Sequence, residues 1–184
     1  ARDGKFIKNT FSFEGAMVRN SMTVNIEDEN SEAYMFGLFL LDKKSHVDNN
    51  TSVDHQKPNT YSNELYKGIL DDRSTGVFNG KIYVRQEAQK TNAFQSNNNI
   101  LLSDDATLNT KPQLEIWADD VKCSHGCTSG QLEEDAIFYL RARGIDEKSA
   151  KGMIINAFAG ETMEHLHIEE VKEEIQSLID QKLS

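Results

Sequence analysis

Cys123, His125 and Cys127 sit at i, i+2 and i+4 in "DDVKCSHGCTSGQL", residues 119–132, and include both cysteines of the chain. In an extended strand that spacing puts two thiols and an imidazole on one face. That is a soft ligand set, able in principle to hold a metal or a cluster. The set lacks the four ligands and paired C-x2-C or H-x3-H spacing of structural zinc. The same residues also fit small buried cysteines beside a histidine hydrogen-bonded at a strand end. A cysteine nucleophile with a histidine base is weaker, because neighbours on one strand face are badly aimed at each other.

The other candidates are less specific. His165 and His167 in "MEHLHIEE" lie between two helical patterns, and i, i+2 side chains diverge on a helix, so a solvated linker is expected there. His46, Asp48, Asp54 and His55 in "SHVDNNTSVDH" could hold a metal, but Asp and Asn in turns explain that composition equally well. The acids of "SDDA" and "ADDV", residues 103–106 and 118–121, are adjacent and would face opposite sides of a strand. No phosphate loop, nucleophile elbow or H-E-x-x-H occurs. "GVFNGKIYV" has glycines but no following helix, so it is not a dinucleotide turn.

Two kinds of element must position these residues. Up to residue 127, short apolar runs ("MTVNI", "MFGLFLL", "KIYV", "NILL", "QLEIW") alternate with Asn, Asp, Ser, Thr and Gly, which reads as many short strands and turns. A loose recurrence of about twenty residues, carried by Ile82, Leu101 and Val121, suggests a parallel β-helix, with a β-sandwich nearly as good. The segment "NAFQSNNN" fits coils that turn on Asn and stack polar ladders.

After residue 128 the period becomes helical. Thr128 and Gln131 have the form of a capping box. Glu133, Glu134 and Asp135 then open a first helix, Arg141 and Arg143 close it, and Gly144 stops it. Asp146 is a good N-cap for a second helix with Ala150, Met153, Ile154, Ala157 and Phe158 on one face. A third carries Ile168, Val171, Ile175, Leu178 and Ile179. The expected organisation is a β-helix over 1–128 and a helical C-terminal domain over 129–184.

Composition bounds the partners. The net charge is −10, and residues 129–184 carry 12 acidic against 6 basic side chains. Nucleic acid is therefore an improbable partner, since phosphate binding needs a basic surface. The longest apolar run, "MFGLFLL", is too short to span a bilayer, and no signal peptide is evident. Two cysteines without a framework of pairs point to a reducing compartment.

The run "VKCSHGCTSGQLEEDAIFYLRARGI", with "HVDNNTSVDHQKPNTYSNELYKGIL" and "STGVFNGKIYVRQEAQKTNAFQSNNNILLSDDATLNTKPQLEIWADDVKC" upstream and "AKGMIINAFAGE" downstream, resembles the SufB/SufD scaffold proteins of the SUF iron–sulfur cluster assembly system. It stands nearer the SufD branch, because SufB usually lacks the "CSHG" run before its helices. The resemblance covers essentially all 184 residues and is most specific over 76–144.

It implies a mainly β chain, a right-handed parallel β-helix followed by a small α-helical domain, forming the C-terminal part of a longer protein. It implies a non-enzymatic scaffold that pairs with SufB through the β-helices and docks the ABC-type ATPase SufC on its helices. Cluster or iron handling at the SufB interface would fall to His125, with Cys123 beside it and Cys127 left without a ligand role. Arg141, Arg143, Ile145, Asp146 and Phe158 are the docking candidates. No cofactor or metal is expected in the isolated chain, only a transient Fe–S cluster in the complex. A bacterial cytoplasmic setting and a homodimer of the chain complete the expectations. The rivals are a β-helix enzyme acting on polysaccharide, which needs paired carboxylates in a groove, and a standalone metal-binding module.

Overall fold

The computed structural model describes residues 2–183. Nine strands alternate between two parallel sheets: β1 (Lys5–Ser12), β2 (Val18–Ile26), β3 (Glu32–Leu41), β4 (His46–His55), β5 (Tyr61–Leu70), β6 (Thr75–Val84), β7 (Asn92–Leu101), β8 (Thr107–Ile116) and β9 (Lys122–Gly130). The odd strands form one sheet in the order β1-β3-β5-β7-β9, and the even strands form the other, β2-β4-β6-β8. The result is a β-solenoid of parallel coils, in agreement with the expected β-helix.

The period differs from the expected one. Tyr61 stacks on Glu32, Asn92 on Tyr61 and Lys122 on Asn92, so each coil takes about thirty residues, not about twenty. The strands are 8–10 residues long, and "GVF" and "KIYV" are halves of the single strand β6. The register is set at the corners. Asn30, Asn59 and Lys90 recur at one corner and Lys43 and Asp72 at another, all with φ between 51° and 59°. This left-handed geometry turns the chain without breaking the stack, and Asn and Asp adopt it most readily after Gly.

Side chains alternate strictly inward and outward. In β6, Gly76, Phe78, Gly80, Ile82 and Val84 are buried while the residues between them are half-exposed. The inward column residues Met35, Val53, Tyr66, Phe78 and Ile82 form one core cluster, and Phe39, Leu41, Val47 and Leu70 form another. β7 holds "NAFQSNNN", which is therefore strand and not turn. Its Gln95, Asn97 and Asn99 point inward and are at most 3% exposed.

Three helices follow: α1 (Glu134–Arg141), α2 (Glu147–Gly160) with a 3-10 turn at Glu161–Met163, and α3 (Glu169–Leu183). They cover the outer face of the odd-strand sheet. Outward-pointing Leu38, Leu40 and Ile69 pack against Ile155, Ala159, Met163, Ile175 and Ile179. Lys67, 2% exposed, is clamped beneath them: its Nζ donates to the Phe158 carbonyl at 2.9 Å, pairs with Glu161 and lies 4.2 Å from the centroid of the Phe158 ring. The helices thus share a core with the solenoid.

Local expectations for the helices fare unevenly. Asp146 does cap α2, accepting from Ser149 N at 3.0 Å, and Gly144 has φ 88° after α1. Thr128 and Gln131 do not form a capping box. Thr128 belongs to β9 and donates to Asn98 Oδ1 at 3.1 Å, Gln131 reaches Asp104, and α1 starts later with no side-chain cap. The buried stripe of α2 is Ala150, Ile155 and Ala159, with Met153 51% exposed, so the helix is turned from the expected face. Ile155 and Ala159 face Leu38, Leu40 and Ile69 of the sheet, and Lys67 holds the C-terminal end of α2 against β5.

Candidate functional site

Cys123, His125 and Cys127 do lie on one face of one strand. Register places Cys123 over Ala93, His125 over Gln95 and Cys127 over Asn97, all inward-pointing positions of the coil below. In any earlier coil such residues would be sealed in the core. β9 ends its sheet, however, and β8 ends the other. The inward face of the last coil is therefore the open end of the solenoid. His125 and Cys127 are exposed there, while Cys123 is half-buried and packs against the core cluster that holds Ala93. Burial pushes the Cys123 thiol up from its ordinary value, with a hydrogen bond involving the Ala93 backbone pulling it back. The small-apolar reading fits Cys123 in part and Cys127 not at all.

Residues two apart on a strand are separated by about 6.8 Å, too far to converge directly on one ion. Among the described residues no group of three or more His, Cys, Asp or Glu is placed to hold a metal. The face can offer single donors to something that spans it or is completed from another chain. β8 and β9 also carry unpaired backbone edges beside these donors, the feature through which strands add to one another.

The floor of this face is polar. Asn99 Nδ2 donates to Asn97 Oδ1 at 2.8 Å and to the Thr128 carbonyl at 3.1 Å, and Gln95 Nε2 donates to Glu64 Oε2 at 2.6 Å. Glu64 and Gln95 were not singled out from sequence. Their signal is an acid at one inward position of β5 stacked under the first of three inward amides of β7, visible only once the coil length is known.

Among the described residues the remaining histidines differ: His55 is buried, while His46 is half-buried at the start of β4 and His165 and His167 are exposed. His55 is fully buried, with Nδ1 2.8 Å from Thr60 Oγ1 and Nε2 2.9 Å from Ser62 Oγ. The Ser62–His55 contact has nucleophile–base geometry, but both residues are 0% exposed and no substrate reaches them. Asp54 pairs with Arg85 and Asp48 with Arg19, so that group makes no metal site. His165 stacks on Phe36 at 4.5 Å, and His167 is exposed. Asp104, Asp105, Asp119 and Asp120 are exposed at corners rather than on strands.

Burial holds His55 down to about 4 from its ordinary 6.5. A lowered folded value means that its stabilisation is present above 6.5 and is lost as pH falls through 4. Lowering the pH from 6.5 to 4.5 is expected to cost the wild type about 2 kcal/mol more than it costs a His55→Gln variant, by urea titration at each pH. An equal cost in both would mean that His55 is not held neutral by the fold.

The helical candidates occupy one end of the tail. Arg141 pairs with Glu147 at 3.2 Å, the Arg143 guanidinium lies 4.2 Å from the Tyr139 ring centroid, Ile145 is half-buried and Asp146 is the α2 cap. Phe158 belongs to the packing between helices and solenoid. Two residues not picked from sequence stand out: Phe138 and Tyr139 of α1 are 74% and 54% exposed. Phe138, Arg141 and Lys151 border a groove of about 910 Å³ closed on its other side by Leu102 and Asp104.

Comparison with known proteins bears on this geometry. The family model "SUF system FeS cluster assembly, SufBD core domain" matches residues 1–158. The chain is 42% identical over 183 residues to the iron–sulfur cluster assembly protein SufD of Escherichia coli K12, covering 100% of this chain and 43% of that protein. It is 40% identical over 148 residues to a SufBD family iron–sulfur cluster assembly protein of Synechocystis, covering 80% of this chain and 33% of that protein. A SufBD family protein of Mycobacterium tuberculosis H37Rv is 32% identical over 183 residues, covering 95% of this chain and 46% of its own length. The chain thus spans less than half the length of these curated relatives.

Proposed function

The chain belongs to the SufBD family of the SUF iron–sulfur cluster assembly system, and from that premise we propose that it is a non-catalytic scaffold segment whose open solenoid end meets a SufB partner. His125, with Cys123 beside it, donates there to a nascent Fe–S cluster that is cargo, while the SufB chain completes the ligand set. The observation that carries this reading is the exposure of inward-column donors at the open end, flanked by two unpaired strand edges. Sharing a cluster between chains explains why this chain alone presents donors too far apart to chelate. The setting we propose is the bacterial cytoplasm; among the described residues no helix is long and apolar enough to cross a membrane.

The second contact we propose is with the SufC ATPase, on the α1 end of the helical segment. Exposed Phe138 and Tyr139 supply an aromatic anchor of the kind that dominates interface energies, beside Arg141, Arg143 and Ile145. Co-purification with SufC tests it. Phe138→Ala is expected to weaken capture by on the order of tenfold or more, without lowering the melting temperature, since the ring is not part of the core. Undiminished capture by that variant would move the docking surface elsewhere.

A further inference from the structure

The groove of about 910 Å³ beside α1 is built from two helix stripes and one corner of the solenoid. Glu134, Ile137, Phe138 and Arg141 stand at i, i+3, i+4 and i+7, so one face of α1 lines it from the first turn to the last. Glu147, Lys151 and Ile155 bring a matching stripe of α2, and Leu101 to Asp104 form the wall opposite. A surface helix ordinarily buries its apolar stripe. None of the residues of α1 is buried, and Phe138 is 74% exposed.

The charges of the lining do not balance. Its two cations, Arg141 and Lys151, both pair with Glu147, at 3.2 and 2.9 Å. Asp71, Asp104 and Glu134 pair with no cation among the described residues, and Asp104 accepts instead from the Gln131 amide at 3.3 Å.

We propose that this groove receives an amphipathic helix of a partner protein, with an apolar edge against Leu102, Ile137 and Phe138 and Lys or Arg side chains against Asp71, Asp104 and Glu134. The inference rests on the docking of the SufC ATPase at α1 and names what the docked protein inserts.

The walls decide the form of the occupant. An extended segment binds by adding to a free strand edge, whereas a helix satisfies its own backbone and binds through side chains at i, i+3, i+4 and i+7. No free edge borders the groove. β7, which ends at Leu101, is paired with β5 on one side and β9 on the other, and Leu102 N donates to the Leu70 carbonyl at 2.8 Å. The eight residues of α1 span about 12 Å, which faces two turns of a partner helix. A small ligand needs most of its surface covered, and a wall with so exposed a phenylalanine does not supply that. The excess of 12 acidic over 6 basic side chains in residues 129–184 draws the same basic partner from a distance.

The test uses the whole chain with SufC as the probe. A photo-crosslinking amino acid at Ser103, on the solenoid wall, is expected to capture a SufC segment that folds as a helix and carries Lys or Arg within a turn of the linked residue. Neutralising the acids with Asp104→Asn and Glu134→Gln together is expected to slow SufC association about fivefold at low salt and to flatten its salt dependence, with dissociation little changed. Both side chains are exposed, so the melting temperature should hold. Unchanged association overturns the inference. So does a complex that forms without a cross-link from Ser103, or with one to a loop, a strand or a second copy of the chain. Each of these leaves SufC docking on the outer side of α1 intact, whereas failure of the wild type to capture SufC overturns both.

Discussion

A Phe39→Ala variant is expected to lose about 4 kcal/mol of stability, near the upper part of the range for a buried phenylalanine. Phe39 points inward from β3 and is 1% exposed. Its ring fills space left open by two glycines: a Cβ at Gly68, on the next coil, or at Gly76, on the facing sheet, would overlap it. Around them lie Leu41, Val47 and Leu70. Glycines have no side chain to collapse into the space, so little of the cavity would be relieved. Against a total stability of about 5–15 kcal/mol the loss is large. Urea titration should show a lower midpoint with an unchanged slope. Adding Gly76→Val to Phe39→Ala should restore about 1 kcal/mol by refilling part of the space. A loss below about 1 kcal/mol for Phe39→Ala would mean that coils are not packed in this register.

The same glycines show what could be read from the sequence and what could not. Strand after strand announced itself through alternation, and the change to a helical period after residue 128 is plain in "DAIFYLRARG". The coil length was not legible, because it is fixed by corner residues in left-handed conformation, and two of these are lysines, Lys43 and Lys90. The twenty-residue recurrence matched Ile82 near the end of β6 and Leu101 at the end of β7 with Val121, which lies in the corner before β9. Once the period was misjudged, the column that stacks His125 on Gln95 and Glu64 could not be seen.

The candidate face was half legible. That Cys123, His125 and Cys127 share a face follows from strand geometry alone. Whether the face is core or surface depends on being the last coil, and nothing local in "KCSHGCTSG" encodes that. The faces of the tail helices were misjudged for a related reason. The face α2 buries is matched to outward residues of β3 and β5, among them Lys67, a residue that ordinary expectation leaves in solvent. The exposed Phe138 and Tyr139 fell inside an apolar run that reads as core.

The most direct measurement concerns His125. Reconstituted with SufB and SufC partners, a full-length protein carrying His125→Ala is expected to lose on the order of tenfold or more in cluster yield. In the chain alone the same substitution should change stability by less than about 0.5 kcal/mol, because the side chain is exposed at the open end. Cys127→Ala should leave both quantities unchanged, which controls for disturbance of β9. Normal cluster yield with His125→Ala, in a complex that still assembles, would contradict the account, and a large loss of stability with normal yield would return His125 to an ordinary structural role.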